Sequence, residues 1–192
     1  SGRRFFNIDF KVASIIKHNS DLLLKLVNDA VSVTLLQTGQ VPFTKEEVDI
    51  CEICRTLVQD YATKAKPGVA VEVNLHQETF ILNTDKKHIK QVLENLLSNA
   101  VKFTEKGCII LSTELAEDGN YIRFVVTDTG SGIPESIQNK IFDTFQKQDS
   151  FIQGVGLGLT ICKLIAQGLN ASIHLDTEYK NGTRMILNHP II

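Results

Sequence analysis

The chain has 192 residues, of which 43% are hydrophobic and 22% are charged, a composition typical of a globular protein with a sizeable core. Its formal net charge of −2 gives no basic field that would indicate nucleic acid as a partner. No apolar run reaches the length of a membrane span and no signal peptide is visible, so we expect a cytoplasmic protein or the cytoplasmic part of a membrane-anchored one. Four cysteines fit a reduced protein better than a disulfide framework.

The first predicted element is a long helix from about Val12 to Thr38, along which apolar residues recur at helical spacings. Its apolar face is wide for an isolated helix, so we expect helical partners on more than one side. Gly39 ends the helix and Pro42 disfavours its continuation, which predicts a domain boundary near residue 40.

Beyond this boundary, Thr44 to Glu47 has the pattern of a capping box, which predicts a second helix reaching about Lys66. Cys51 and Cys54 form a CxxC motif, but no second pair accompanies them, so we interpret both as small helix residues. The remaining predicted elements are strands at 69–75 and 79–83, a helix capped by Asp85 and reaching about Thr104, strands at 108–115 and 121–127, a short helix after Pro134, a helix from about Leu157 to Gly168, and strands at 172–176 and 183–188. Hairpin-joined strands with helices grouped between them predict an α+β two-layer sandwich rather than a doubly wound parallel sheet.

One stripe of the helix after Asp85 is polar. Gln91, Asn95, Asn99 and Lys102 fall within about 80° of arc, and apolar residues cover the opposite side. An Asn side-chain oxygen can complete the oxygen shell of Mg²⁺ while phosphate and water take the other positions. The stripe alone fits either such a site or the solvated face of an amphipathic helix.

Two glycine-rich segments follow. The strand at 121–127 runs into Asp128-Thr129-Gly130-Ser131-Gly132, which could place a carboxylate against the exocyclic amine of adenine, although an Asp-led turn has the same pattern. Residues 154–159, GVGLGL, open a helix and would let backbone N–H groups approach phosphate. The spacing matches neither the dinucleotide fingerprint nor a P-loop. Lys147, between the two segments, could reach a phosphate from a mobile cover anchored by nearby phenylalanines.

Four motifs in this order, NLLSNAVKF (95–103), DTGSGIP (128–134), IFDTFQK (141–147) and GVGLGLTI (154–161), resemble the four boxes of sensor histidine kinases. Those kinases belong to the ATPase superfamily of gyrase, heat-shock protein 90 and mismatch-repair MutL, which share the Bergerat fold. The resemblance covers about Pro67 to the C-terminus, and the ending is similar to that of hybrid two-component sensors. The N-terminal part is similar to the second helix of a dimerisation and phosphoacceptor domain. The resemblance therefore implies a partial domain of that kind at 1–40 and an ATP-binding catalytic domain at 41–192.

The resemblance also implies ligands and roles. Asn99 would be the Mg²⁺ ligand, with Asn95 beside it and Lys102 on phosphate. Asp128 would hydrogen-bond adenine directly and through water, and Thr183 would help to hold that water. The implied ATP-binding set also contains Gly130 and Gly132 at the pocket floor, Gly154, Gly156 and Gly158 in the ATP lid and its hinge, and Ile133, Lys147 and Leu157. The implied partners are ATP, a second copy of the full-length protein through its dimerisation helices, and a response-regulator receiver domain.

Departures from the family pattern limit this expectation. The phosphoacceptor box, a histidine followed by an acidic residue and an Arg-Thr-Pro-like run, is absent around all five histidines. We therefore expect that the first helix of the dimerisation hairpin is missing and that the chain binds nucleotide without phosphorylating itself. Val155 replaces the usual small hydroxyl residue of the lid, and the lid at 147–154 is short, two changes that would weaken nucleotide binding.

Two other functions remain open. A GHKL-type ATPase would need a glutamate to activate water, but the position where other branches place it is Asn95 here. The adjacent Glu94 points about 100° away on an ideal helix. A degenerate regulatory module that binds nucleotide weakly or not at all is favoured by Val155 and the short lid, whereas the complete set of polar pocket residues counts against it.

Overall fold

The computed structural model describes residues 2–143 and 157–191, with side chains from Val12 onward. Its elements are α1 (Gly2–Gln37), β1 (Glu46–Asp49), α2 (Ile50–Ala62), β2 (Val69–Asn74), β3 (Ile81–Thr84), α3 (Lys86–Phe103), β4 (Gly107–Leu115), β5 (Tyr121–Asp128), α4 (Glu135–Gln138), α5 (Gly158–Gly168), β6 (Ser172–Leu175) and β7 (Thr183–Pro190).

A mixed sheet of five strands forms one layer, in the order β2-β4-β5-β7-β6. Strand β2 lies parallel to β4, and the other neighbours are antiparallel. Burial alternates along β4 and β7, because one face of the sheet packs against helices α2, α3 and α5. The α+β two-layer sandwich predicted from the sequence is thus confirmed, and α1 precedes it.

The predicted helix start at Thr44 is wrong. Residues 46–49 instead form β1, which pairs antiparallel with β3, and Val48 is buried there. Helix α2 begins at Ile50, after Asp49 accepts a hydrogen bond from the Cys51 amide at 3.0 Å. Strand pairing across the chain has overridden the local capping pattern, as tertiary contacts commonly do. The helix also ends at Ala62 rather than near Lys66.

The remaining predicted elements are present, with shifted ends. Helix α1 begins at Gly2 rather than Val12, and β3 runs from Ile81 to Thr84 rather than from 79 to 83. Among residues 2–143 and 157–191, no helix combines the length and the apolar character needed to cross a membrane.

Cys51 and Cys54 are both buried on α2. Burial raises the pKa of the Cys54 thiol to about 12, so this thiol stays protonated at neutral pH. Within the described part of the chain, no group of three or more histidine, cysteine, aspartate or glutamate side chains is arranged to hold a metal ion.

Candidate nucleotide-binding site

Helix α3 carries the polar stripe. Asp85 caps its first turn by accepting a hydrogen bond from the His88 amide at 2.9 Å, which fixes where the helix begins. The opposite face is buried, and it consists of Ile89, Val92, Leu93, Leu96, Leu97 and Ala100. Asn95 and Asn99, one turn apart, are half-buried, and Lys102 is exposed. The stripe therefore lies at the edge of the core rather than in open solvent.

Asn95 faces the beginning of α5. Its side-chain oxygen lies 3.5 Å from the position that a Cβ would occupy at Gly158, which is ordinary van der Waals distance. The buried Cys162, one turn further along α5, also contacts α3, with its Sγ 3.8 Å from the Val92 carbonyl oxygen. Burial raises the pKa of the Cys162 thiol to about 12, and the Asn95 side chain acts in the opposite direction. Asn95 thus packs α3 against α5 besides lining the stripe.

Lys102 lies in the last turn of α3, where a cation is favoured by the helix dipole. Its ammonium is 5.3 Å from the centroid of the Phe103 ring. Because the side chain is exposed, the ammonium can leave this ring at little cost when an anion is nearby.

Among the described residues of the predicted set, Asp128 is the most buried charged group, with 5% of its surface exposed. It ends β5 and lies opposite Thr183, the first residue of β7. Its Oδ1 accepts hydrogen bonds from the Gly130 amide at 2.8 Å and the Thr183 amide at 3.2 Å. Burial raises the pKa of Asp128, and these donors lower it in part, leaving it above its ordinary value. The Thr183 side chain also bonds to the carboxylate and lowers its pKa in part. Both backbone donors are on Oδ1, so Oδ2 receives no backbone hydrogen bond from the described residues.

Glycines let three chain segments meet beside Asp128. A Cβ at Gly130 would lie 2.5 Å from the Phe103 carbonyl oxygen, at the end of α3. Gly132 has a φ of +70° and faces the Gly182 carbonyl oxygen. Gly182 has a φ of +144°, and a Cβ there would overlap the Asp128 carbonyl. The sequence motifs identify Gly130 and Gly132 but treat Gly182 only as a turn residue, although its position directly before Thr183 was the available signal.

The predicted site residues thus form two groups, both adjoining α3. Asp128, Gly130, Gly132 and Thr183 meet near Phe103, whereas Gly158, which follows Leu157 in the chain, lies near Asn95. Phe103 lies eight residues after Asn95 on this helix, which corresponds to roughly 12 Å along the axis. Ile133, just beyond the first group, is half-buried. Lys147, Gly154 and Gly156, with Val155 of the predicted lid, lie outside the described residues.

A cavity of about 270 Å³ lies elsewhere, on the outer face of the sheet. Its lining includes Ser112, Thr127 and Arg184, which alternate with the residues that face the helices. It is therefore separate from both groups of predicted site residues.

Comparison with known proteins gives consistent matches. The family model for "Histidine kinase-, DNA gyrase B-, and HSP90-like ATPase" matches residues 84–191. Two-component system protein A of Emericella nidulans is 34% identical over 171 residues, which cover 84% of this chain and 25% of that protein. Sensor histidine kinase RcsC of Escherichia coli is 30% identical over 192 residues, covering 94% of this chain and 20% of RcsC. The chain thus spans a fifth to a quarter of the length of these curated relatives.

Solved structures agree with the sequence matches. Full-length ShkA in complex with AMPPNP superposes with a TM-score of 0.81 at 28% identity, covering 92% of this chain and 37% of ShkA. The catalytic domain of histidine kinase ThkA, in a nucleotide-free form, gives a TM-score of 0.65 at 29% identity, covering 79% of this chain and 99% of that domain.

Proposed function

Since the chain belongs to the family of histidine kinase-, DNA gyrase B- and HSP90-like ATPases, we propose that residues 41–192 are the catalytic domain of a two-component sensor histidine kinase, which binds Mg-ATP for phosphoryl transfer. Residues 1–40 would be part of its dimerisation and phosphoacceptor domain. The observation that supports this most is Asp128, a buried carboxylate at a strand end, with one oxygen held by two backbone amides and no backbone donor on the other.

Asp128 would recognise adenine. Its Oδ2 can accept a hydrogen bond from the exocyclic amine, and the backbone donors on Oδ1 keep the carboxylate in one orientation. The Thr183 hydroxyl is beside the carboxylate and would share a bridging water with the base. Gly130 and Gly132 present no side chain, so a flat ring can lie against their backbone.

Asn99 would hold Mg²⁺, with Asn95 beside it and Lys102 on phosphate. Mg²⁺ is commonly bound by one or two protein oxygens together with water and substrate phosphates, so a single amide oxygen fits this metal. When bound, the metal would neutralise charge on the phosphates. Gly158 and Leu157 would form the hinge from which the lid, with Lys147, Gly154 and Gly156, covers the nucleotide.

The domain would contribute mainly positioning and charge neutralisation. A histidine nitrogen on a dimerisation helix attacks the γ-phosphorus, a P–N bond forms as the bond to the ADP oxygen breaks, and the phosphoryl group then passes to a response-regulator aspartate. None of the five histidines of this chain has the phosphoacceptor context. Incubation with γ-labelled ATP should therefore leave the chain unlabelled, and an acid-labile phosphohistidine on it would contradict this.

The proposed kinase works as a homodimer in the cytoplasm. Support comes from α1, whose Ile16 and Leu23 side chains are 60% and 64% exposed although both are apolar. Such a surface favours pairing with other helices. The ATPase alternative is less well supported, because Glu94 lies 3.6 Å from the Lys90 ammonium and its side chain is directed along the outer face of α3.

Calorimetric titration with a non-hydrolysable ATP analogue, with and without Mg²⁺, tests this function. We expect binding that Mg²⁺ strengthens, and Asn99→Ala should abolish the Mg²⁺-dependent part. Asn74→Ala, on the exposed edge strand β2, is the matched control and should bind as the wild type does. Absence of binding at millimolar nucleotide would favour the degenerate module, and steady-state hydrolysis would favour the ATPase.

A further inference from the structure

The linker between α1 and β1 is seated on two helices of the domain. The Phe43 ring lies 4.5 Å from the His88 ring of α3, measured between centroids, with the planes tilted by 38°. The same ring stands over Gly168, the last residue of α5, so that a Cβ at Gly168 would overlap it. Phe43 therefore occupies a space that exists only because residue 168 has no side chain.

Asp85 holds the next residue of the linker. Its Oδ1 caps α3 through the His88 amide, whereas its Oδ2 accepts a hydrogen bond from the Thr44 amide at 2.8 Å. The His88 ring nitrogen Nδ1 is also 2.9 Å from Oδ1. Burial would raise the pKa of Asp85, but the donors from His88 and Thr44 outweigh it and lower the pKa. One ionised carboxylate thus joins the linker to the first turn of α3. We call the contacts of Phe43 with His88 and Gly168, and of Thr44 with Asp85, the linker seat.

Helices α3 and α5 connect this seat to the candidate nucleotide site. They run antiparallel, because Asn95 contacts Gly158, Val92 contacts Cys162, and Phe43 bridges His88 and Gly168. The linker therefore contacts the start of α3 and the end of α5, whereas Asn95 and Gly158 lie toward their other ends. The last turns of α1 also pack on α5, and Val33 is buried there.

We infer that Phe43 and Asp85 are positioning residues that set the orientation of α1 relative to the two helices bearing the nucleotide site. Any group carried by α1 or by its helical partners is then presented to the site in a set orientation. None of these contacts involves nucleotide, so their test is independent of ATP binding.

The exchange rate of the Thr44 amide hydrogen, followed by NMR, reports the seat directly. We expect Phe43→Ala and Asp85→Asn to raise this rate at least tenfold, because each loosens the linker. Asn caps a helix as well as Asp does, so Asp85→Asn should keep α3 intact. The Thr183 amide, bonded to Asp128, is the internal reference and should not change. Unchanged Thr44 exchange in both variants would overturn the inference.

Gly168→Ala tests the same seat from the opposite side. Alanine is the better helix former, so this substitution should be neutral or stabilising if Phe43 does not occupy the space. We expect it instead to speed Thr44 exchange, and to have no further effect once Phe43→Ala is present, because the two residues share one contact. Gln167→Ala, at the exposed neighbouring position, is the control. If Gly168→Ala and Gln167→Ala gave the same Thr44 exchange rate, the proposed contact between Phe43 and Gly168 would be contradicted.

Distances between spin labels show whether Phe43 and Asp85 position α1 or only pack the linker against the domain. Labels at Asp21→Cys on α1 and Glu72→Cys on β2, in a Cys108→Ser background and diluted with unlabelled chain, measure the distance within one copy. A narrow distribution should broaden in Phe43→Ala and Asp85→Asn but not in Gln167→Ala. If every variant gives the same width while Thr44 exchange rises, Phe43 and Asp85 pack the linker without positioning α1, and the inference fails.

Discussion

The Asp128 carboxylate is held in a pocket that favours its neutral form. Burial raises its pKa, and the amides of Gly130 and Thr183 offset only part of that effect. A group whose pKa is raised on folding stabilises the folded chain while it is protonated, and this contribution is lost as the pH rises through the folded pKa. At neutral pH the ionised carboxylate therefore lowers stability, which is typical of residues retained for function.

Asp128→Asn should accordingly separate stability from binding. We expect the free energy of unfolding at neutral pH to rise by about 1 kcal/mol, because Asn keeps an acceptor for the two amides but has no charge. The gain should shrink as the pH falls through the raised pKa towards 3.8. Affinity for the ATP analogue should fall at least tenfold, since an amide N–H₂ would face the adenine amine. Urea denaturation across pH measures the first effect, and lower stability of the variant at neutral pH would contradict it.

Two fully buried threonines make a matched pair. The Thr104 hydroxyl has no hydrogen-bond partner among the described residues, whereas the Thr84 hydroxyl lies 2.8 Å from Nε2 of His189. The Pro190 carbonyl oxygen lies beside Nδ1 of His189 and can only accept a hydrogen bond. Nδ1 therefore carries the proton of neutral His189, and the Thr84 hydroxyl donates to Nε2.

Valine at these two positions should therefore have opposite effects. Thr104→Val should leave the free energy of unfolding unchanged or raise it, because it removes an unpaired buried hydroxyl. Thr84→Val should lower it by about 1–3 kcal/mol, because the His189 nitrogen loses its donor. Chemical denaturation compares the two, and equal losses would indicate that the Thr104 hydroxyl has a partner.

At the scale of elements, prediction from sequence succeeds where local and tertiary signals agree. Helix α3 is predicted within one residue at each end, because the Asp85 cap and the helical period mark the same segment. Strand β1 is missed, since its pairing with β3 has no counterpart in the local pattern. The candidate site divides in the same way. Asp128 and Gly130 are predicted from a motif, whereas Gly182 is identified only by its contact with the Asp128 backbone across the chain.

The true start of α2 can be tested with two caps. Asp49→Ala removes the acceptor for the Cys51 and Phe80 amides, so it should cost about 1 kcal/mol, within the 0.5–2 kcal/mol usual for a lost N-cap. Thr44→Ala should cost much less, because only the Thr44 backbone amide is engaged. Thermal unfolding of both variants ranks them, and a larger loss for Thr44→Ala would favour the capping box.

At the scale of the whole molecule, helix α1 leaves large apolar side chains exposed, among them Ile16 and Leu23. Ile16 and Leu23 are seven residues apart and so share one face of the helix. If this face pairs with a second copy, replacing both residues by glutamate should shift sedimentation from dimer to monomer while the domain unfolds at the same temperature. Ser20→Glu, also exposed on α1, should sediment as the wild type does. Identical sedimentation of all three proteins would exclude pairing through this face.

The antiparallel pairing of β5 with β7 determines when the Asp128 end of the candidate site can form. Asp128 receives its hydrogen bond from Thr183 across a sequence separation of 55 residues, and β7 supplies the whole neighbouring strand. Contacts so distant along the chain form late, because a long loop must close first. During synthesis, a nascent chain that ends at α5 would hold Asp128 without this partner. Nucleotide would therefore stabilise the finished fold by mass action and would not guide its early assembly.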